Sequence, residues 1–134
     1  MDYLRRTDTA GPRVPLVLVE GLMDLARVRK VYPNSSTTFG IQIGPNQARQ
    51  INEFDRIIEL GDSDKGGDLY TSSLADICER EIWSCRVPEK DPGDSTPEHI
   101  LAAIDGARPL ADILIERSGL FEITEEKEDL RWTK

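Results

Sequence analysis

Acidic side chains gather where the apolar segments of this sequence end. Six carboxylates follow predicted strands within a few residues, and they are Glu20, Asp24, Asp62, Asp64, Asp91 and Asp94. The carboxyl ends of parallel strands meet at one edge of an open α/β sheet, so we expect these side chains to lie together there. Magnesium or manganese, which prefer oxygen ligands, would relieve their mutual repulsion and support phosphoryl transfer. A simpler interpretation is that loops of an acidic protein carry acids, some of which cap helices.

Apolar runs alternate with amphipathic segments and predict the elements that position these acids. Strands are predicted at residues 14–19, 37–43, 55–60 and 81–87, and helices at 22–31, 47–54, 65–78, from an N-cap at Thr96 onward, and at 109–118. The first run, VPLVLV, is typical of a strand buried on both faces. In the third helix, Leu69, Leu74 and Ile77 are expected on the buried face. The alternation predicts an α/β domain with about four mainly parallel strands flanked by helices.

Length and charge narrow the class of protein. The chain has 134 residues and a net charge of -8. Residues 1–13 are predicted as an N-terminal arm, residues 14–119 as the folded domain and residues 120–134 as an acidic C-terminal tail. No apolar run reaches the ~20 residues of a membrane span, and the start has no secretory h-region, so a cytoplasmic protein without a membrane partner is expected. The negative charge argues against coating DNA by charge alone, but not against a metal-dependent enzyme acting on phosphates.

Cysteine and histidine are too scarce for several other kinds of site. The chain has two cysteines, Cys78 and Cys85, and one histidine, His99. A four-ligand zinc ribbon cannot be built from one such chain, and no zinc is expected. The cysteines are interpreted as reduced thiols and His99 as a solvated residue in the first turn of a helix.

The loop that begins at Asp62 admits other interpretations. An EF-hand loop needs an acidic ligand at position twelve, where this sequence has Ser73, and no phosphate-binding P-loop motif is present. A phosphoacceptor receiver domain would share the size and an aspartate after the third strand. It usually has adjacent acids after the first strand, whereas here Gly21 follows Glu20.

Three sequence segments together resemble a known family. VLVEGLMD at residues 17–24, followed by DSDKGG at residues 62–67, resembles the toprim domain that bacterial-type DNA primases share with type IA and type II topoisomerases and small nucleases. The EGxMD form and PEKDP at residues 88–92 look most like bacterial and phage primases. The sequence departs from the primase pattern in placing a second acid, Asp94, one residue later than usual, and Gly66 where alanine is common.

The resemblance implies roles for individual residues. It implies catalysis by Glu20, Asp62 and Asp64, metal binding by these three with Asp91 and Asp94, and supporting positions at Gly21, Asp24, Gly66, Gly67 and Lys90. In a primase, metal held by the aspartates would bind the phosphates of the incoming nucleotide, and Glu20 would orient or activate the attacking hydroxyl group. On the predicted first helix, Arg27, Arg29 and Lys30 are candidate contacts to the nucleic-acid backbone, although a solvated helix face is an equally good interpretation.

The resemblance leaves three functional hypotheses. The chain is expected to be the toprim core or subunit of a primase that synthesises RNA primers, a stand-alone nuclease acting on RNA or DNA, or a non-catalytic binding module. The EGxMD and PEKDP segments favour a primase. The zinc-binding domain and the basic template-binding subdomain of such primases do not fit in residues 1–13. A primase core is therefore expected to need a separate basic or zinc-binding subunit, and a helicase, besides nucleic acid and nucleotides.

Overall fold

A central strand buried on both faces organises the protein. The computed structural model describes residues 14–39, 43–63 and 65–119, with the side chains of residues 65–67 excepted. Strand β1 (Leu16–Val19) has no exposed residue, as its continuous apolar sequence predicts. It pairs in parallel with β2 (Ser35–Thr37) on one side and with β3 (Ile57–Leu60) on the other.

The sheet continues beyond β3 in the order β2-β1-β3-β4-β5. Strand β4 (Ile82–Cys85) is parallel to β3, and the two-residue strand β5 (Arg108–Pro109) is antiparallel to β4. The prediction of an α/β fold with a mainly parallel sheet is confirmed, with five strands rather than about four. β2 pairs with one edge of β1 and β3 pairs with the other edge, so the direction in which successive strands are added reverses at β1. In doubly wound sheets, ligands bind outside the strand ends at such a reversal.

Helices cover both faces of the sheet. The helices are α1 (Leu22–Val28), α2 (Pro45–Ile51), α3 (Lys65–Ile77), α4 (Pro97–Asp105) and α5 (Leu110–Ser118). One apolar cluster joins Val17 and Val19 to α1 and α4, and a second joins Leu16 and Leu18 to α2 and α3. Alternate residues of β1 thus enter opposite cores, as the side-chain period of a strand requires. No helix in the described ranges has the length and apolarity to cross a membrane.

Several predicted boundaries were wrong for identifiable reasons. Strand β2 was predicted at residues 37–43, but it runs from Ser35 to Thr37, and Phe39 then takes a left-handed backbone with φ 59°, which an extended ladder does not accommodate. Residues 40–42 of the predicted strand lie outside the described residues. The buried face of α3 carries Tyr70 and Leu74, whereas Leu69 is 58% exposed. The prediction for Leu69 fails because it is one residue, or about 100° of helix rotation, away from that face. The predicted cap of α4 is confirmed, since the Thr96 side chain accepts the His99 amide.

Candidate metal centre

Three aspartates, one from the first turn of α1 and two from loops, converge at the carboxyl edge of the sheet. Asp24 follows β1, Asp62 follows β3 and Asp91 follows β4. Each offers one carboxylate oxygen, and these three oxygens all lie within 4.8 Å of one another. Asp24 is buried, and Asp62 and Asp91 are partly buried. All three atoms are carboxylate oxygens, which is the ligand type that a hard divalent cation prefers.

Asp24 is held by both its own helix and the Asp91 loop. It lies in the first turn of α1, where the N-terminal end of the helix favours a negative charge. Its Oδ1 accepts a hydrogen bond of 2.9 Å from the backbone amide of Gly93. From the same helix, Arg27 Nε donates to the Gly93 carbonyl at 3.3 Å. Helix α1 therefore binds both polar groups of the Gly93 backbone and fixes the Asp91 loop against Asp24.

Asp91 begins a short 3-10 turn (Pro92–Asp94) and is rigidly placed by it. Its Oδ1 accepts the Asp94 amide at 3.0 Å, and its carbonyl accepts the Ser95 hydroxyl at 2.9 Å. The neighbouring Asp62 loop is joined to the same segment through Ser63, whose amide donates to the Lys90 carbonyl at 2.8 Å. Backbone and side-chain hydrogen bonds thus hold α1, the Asp62 loop and the Asp91 loop together.

The electrostatics of the cluster are unfavourable without a cation. Burial raises the pKa of Asp24 above its ordinary value, and the negative charges of Asp91 and Asp94 raise it further. Hydrogen bonds from the Gly93 and Gly21 amides oppose this rise without cancelling it. A bound divalent ion would stabilise the charged form of Asp24 that burial disfavours.

The raised pKa of Asp24 predicts that the contribution of this residue to stability in chelator falls as pH rises. The folded protein binds this proton more tightly than the unfolded chain, whose aspartate titrates near 3.8. The contribution of Asp24 to the free energy of unfolding is therefore largest below that pH and falls as pH rises through the folded-state pKa. We expect the melting temperature of wild type in chelator to fall over this range relative to that of Asp24→Asn at the same pH. A parallel pH profile in the two proteins would contradict the assignment, and saturating metal should reverse the trend.

Gly93 leaves the space that the two carboxylates occupy. A Cβ at this position would lie 3.1 Å from Asp24 Oδ1 and 3.3 Å from Asp91 Oδ1. The φ of Gly93 is not left-handed, so alanine would suit its backbone and only the crowding of the two acids is at issue. Three carboxylates with a cradle kept open by a glycine fit a metal ion.

The Gly93→Ala variant is expected to bind Mn²⁺ about tenfold more weakly, because residues that support metal ligands typically contribute 10–100-fold to affinity. Calorimetric titration would measure the affinity. Gly44→Ala is the matched control, since a Cβ there meets nothing within 4 Å. Equal affinities in the two variants would show that the space at Gly93 is irrelevant to metal binding.

The other predicted site residues that the structure describes lie outside the group of three aspartates. Glu20 is partly buried outside the group of three, and its carbonyl accepts the Thr37 hydroxyl at 2.9 Å. Asp94 and Lys90 are exposed beside Asp91. Gly21 precedes α1 as its N-cap, and only the helical backbone of Gly66 and Gly67 is described. Asp64, the arm at 1–13 and the tail at 120–134 lie outside the described residues.

The basic residues in and just after α1 divide into two kinds, because the helix, predicted at residues 22–31, ends at Val28 and leaves Arg29 as its C-cap and Lys30 beyond it. Arg27 and Lys30 are exposed, and Arg27 faces the metal centre through its hydrogen bond to Gly93. Arg29 is partly buried and donates to the Ser35 carbonyl at 3.2 Å, so part of its role is to bind β2 to the helix. A nucleic-acid role stays a prediction for all three.

The single histidine and the two cysteines take ordinary positions. His99 is exposed, and its Nδ1 lies 2.6 Å from a carboxylate oxygen of Glu89. Both cysteines are free thiols. Burial raises the pKa of Cys78 to about 11 and that of Cys85 to about 12, so neither is an activated nucleophile at neutral pH.

Two features of the site were not fully anticipated. Asp24 was expected at this edge of the sheet among six acids, but the resemblance implied only a supporting position for it, whereas it is one of the three converging acids. Its place in the first turn of α1, directly after the Glu20 loop, was the available signal. Glu59, in the middle of β3, is completely buried and contacts the backbone that leads to Asp62. Nothing was predicted for this glutamate.

Comparison with known proteins adds two similarities. Residues 17–96 match a family model described as Toprim-like, and this segment contains Asp24, Asp62 and Asp91. No curated protein matches the sequence. The fold is similar to a chain in a structure of bacteriophage T7 lagging-strand DNA polymerase interacting with the primase domains of two gp4 subunits bound to an RNA/DNA hybrid and dTTP. That similarity has a TM-score of 0.58 at 17% identity, and it covers 71% of this chain and 55% of the T7 chain.

Proposed function

Because this chain belongs to the Toprim-like family, we propose that it is the metal-dependent catalytic core, or a subunit, of a primase that joins nucleotides into RNA primers. The observation that carries the proposal is the convergence of Asp24, Asp62 and Asp91 within 4.8 Å at the carboxyl edge of the sheet. The phage structure with a similar fold contains primase domains bound to an RNA/DNA hybrid and dTTP, which supports primer synthesis as the specific activity.

Asp24, Asp62 and Asp91 would hold Mg²⁺ or Mn²⁺ in this proposal, with Asp64 and Asp94 as further acids of the same loops. The ion would supply positive charge to the phosphates of a nucleotide. Glu20 lies at the neighbouring end of β1, where its carboxylate would accept the proton of the attacking hydroxyl. Thr37 fixes the Glu20 backbone, so the glutamate is held on the sheet rather than on a free loop.

The charge of the chain bears on its partners. Contacts to phosphates dominate affinity for nucleic acid, and the net charge here is -8. Arg27 is an exposed cation on the helix that carries Asp24, and Lys30 is an exposed cation just after that helix, and we assign both to the nucleic-acid backbone. Two such contacts against that net charge predict weak binding to a template at physiological salt. A basic or zinc-binding primase subunit would supply the remaining contacts, and a replicative helicase would present the template.

A single assay separates the proposed activity from nucleic-acid cleavage. The chain is incubated at low salt, where contacts to phosphates are strongest and no partner subunit is needed for binding, with millimolar Mn²⁺, labelled ribonucleotides and a saturating concentration of an end-labelled RNA-primed DNA template. We expect metal-dependent incorporation of ribonucleotides, abolished by chelator and by Glu20→Gln. Shortening of the labelled strand without incorporation would identify a nuclease instead, and the absence of both reactions would contradict a catalytic role.

A further inference from the structure

A carboxylate is buried at the centre of the sheet, where apolar residues are expected. Glu59 lies in the middle of β3 between its neighbours β1 and β4, and its side chain is 0% exposed. Burying a charge costs several kcal/mol unless other groups compensate it. A residue so costly in the core of a small domain is expected to have a specific role.

Both oxygens of Glu59 are fully engaged. Oε1 accepts hydrogen bonds from Thr71 Oγ1 at 2.6 Å, Ser84 Oγ at 2.9 Å and Arg86 Nη1 at 2.7 Å. Oε2 accepts from the Gly61 amide at 2.7 Å and from Arg86 Nη1 at 2.8 Å. One side chain therefore joins β3 to helix α3, to β4 and to the peptide immediately before Asp62.

The Gly61 contact differs from the others because it fixes the peptide next to a proposed metal ligand. Thr71 lies on α3, Ser84 lies on β4 and Arg86 directly follows β4. Gly61, in contrast, is the first residue after β3 and directly precedes Asp62. On the other side of Asp62, the Ser63 amide donates to the Lys90 carbonyl at 2.8 Å. Asp62 thus lies between two anchored peptides, one fixed to the sheet by Glu59 and one fixed to the Asp91 loop.

We propose that Glu59 is a positioning residue for the metal centre: by accepting the Gly61 amide, it sets the direction in which Asp62 leaves β3 and so brings its carboxylate to Asp24 and Asp91. This inference rests on the proposed function, in which these three acids bind a divalent cation. Arg86 compensates the charge of Glu59, and Thr71 and Ser84 fix the orientation of its carboxyl plane.

Glutamine at this position would remove the positioning contact selectively. An amide has one accepting oxygen and one donating nitrogen. Arg86 contacts both oxygens, so the hydroxyls decide the orientation of the amide. Thr71 and Ser84 each already accept a hydrogen bond from Arg86, and the proton that each donates needs an acceptor at the position of Oε1, where the amide oxygen is therefore expected. The amide nitrogen would then face the Gly61 N–H, donor against donor, and the Gly61 peptide would have to move.

The test is the affinity for Mn²⁺ alone, measured from the electron paramagnetic resonance signal of free Mn²⁺ at a temperature far below melting. Wild type is expected to bind. Glu59→Gln is expected to bind at least about tenfold more weakly, in the range typical of residues that orient metal ligands. A merely structural role would lower the melting temperature but leave this affinity unchanged, because the protein is folded in every sample.

Ser84→Ala is the matched control. It deletes one of the donors to Oε1 and leaves the Gly61 contact in place. Its Mn²⁺ affinity should equal that of wild type. Should Glu59→Gln fail to fold, Glu59→Met combined with Arg86→Met leaves no charge stranded in the core and gives the Gly61 amide no acceptor, so the same loss of affinity is expected.

The two proposals fail in different ways. If wild type does not bind Mn²⁺, the metal centre itself is wrong. If wild type binds and Glu59→Gln binds equally well, the metal centre stands and the positioning role of Glu59 is overturned. If Ser84→Ala loses as much affinity as Glu59→Gln, general loosening of the sheet and not the Gly61 contact is responsible, which also overturns the role.

Discussion

Asp62→Asn is expected to lower the proposed metal-dependent activity by at least about 100-fold, since loss of a proposed direct ligand should exceed the 10–100-fold effects of residues that only support ligands. In chelator the same variant should melt at the temperature of wild type or higher, because one charge is removed from three crowded acids. The two measurements are the turnover rate with saturating substrate and thermal unfolding without metal.

Opposite signs on activity and stability distinguish a functional acid from a structural one. Asp76→Asn, on the exposed side of α3, is the control and should change neither quantity. A clear loss of stability by Asp62→Asn in chelator would show that the loop needs this carboxylate in order to fold. Asp62 would then be a structural residue, and its charge would not destabilise the metal-free protein as the metal centre requires.

Arg86→Met is expected to reduce the free energy of unfolding by about 3–5 kcal/mol, the usual result of removing one partner from a buried ion pair. Arg86 contacts both oxygens of Glu59, which is 0% exposed and cannot turn to solvent. Urea denaturation followed by circular dichroism would measure the change.

Arg80→Met provides the comparison. Arg80 pairs with Asp55 at 3.0 Å, but the two side chains are 50% and 57% exposed. Exposed pairs contribute about 0–1 kcal/mol, so this variant should be nearly as stable as wild type. Adding Glu59→Gln to Arg86→Met should restore most of the lost stability. Equal effects of Arg80→Met and Arg86→Met would show that burial does not govern the strength of the Glu59 pair.

Local sequence patterns were sufficient for the features that depend on the burial of one strand, on a few neighbouring residues or on the common direction of parallel strands. A continuous apolar run predicts β1 because both faces of a central parallel strand are covered. The N-cap at Thr96 was predictable because it depends on a few neighbouring residues. Acids after successive strands could be assigned to one edge of the sheet because parallel strands end on the same side.

The features that escaped prediction depend on contacts between distant segments. Glu59 and Arg86 are 27 residues apart, and only the pairing of β3 with β4 brings them together. The end of β2 is decided by the backbone of Phe39, for which a phenylalanine in the sequence gives no signal. Strand β5 has two residues and contains a proline, so no periodic pattern can reveal it.

The short last strand has a consequence for the protein at high concentration. In the described sheet, β5 covers the edge of β4 and offers little of its own, because Pro109 has no amide hydrogen. An open strand edge is the usual template for ordered aggregation between copies of a chain. Here that edge is two residues long and poor in donors, and the net charge of -8 repels an approaching copy. Growth of fibrils by strand addition at this edge is therefore disfavoured.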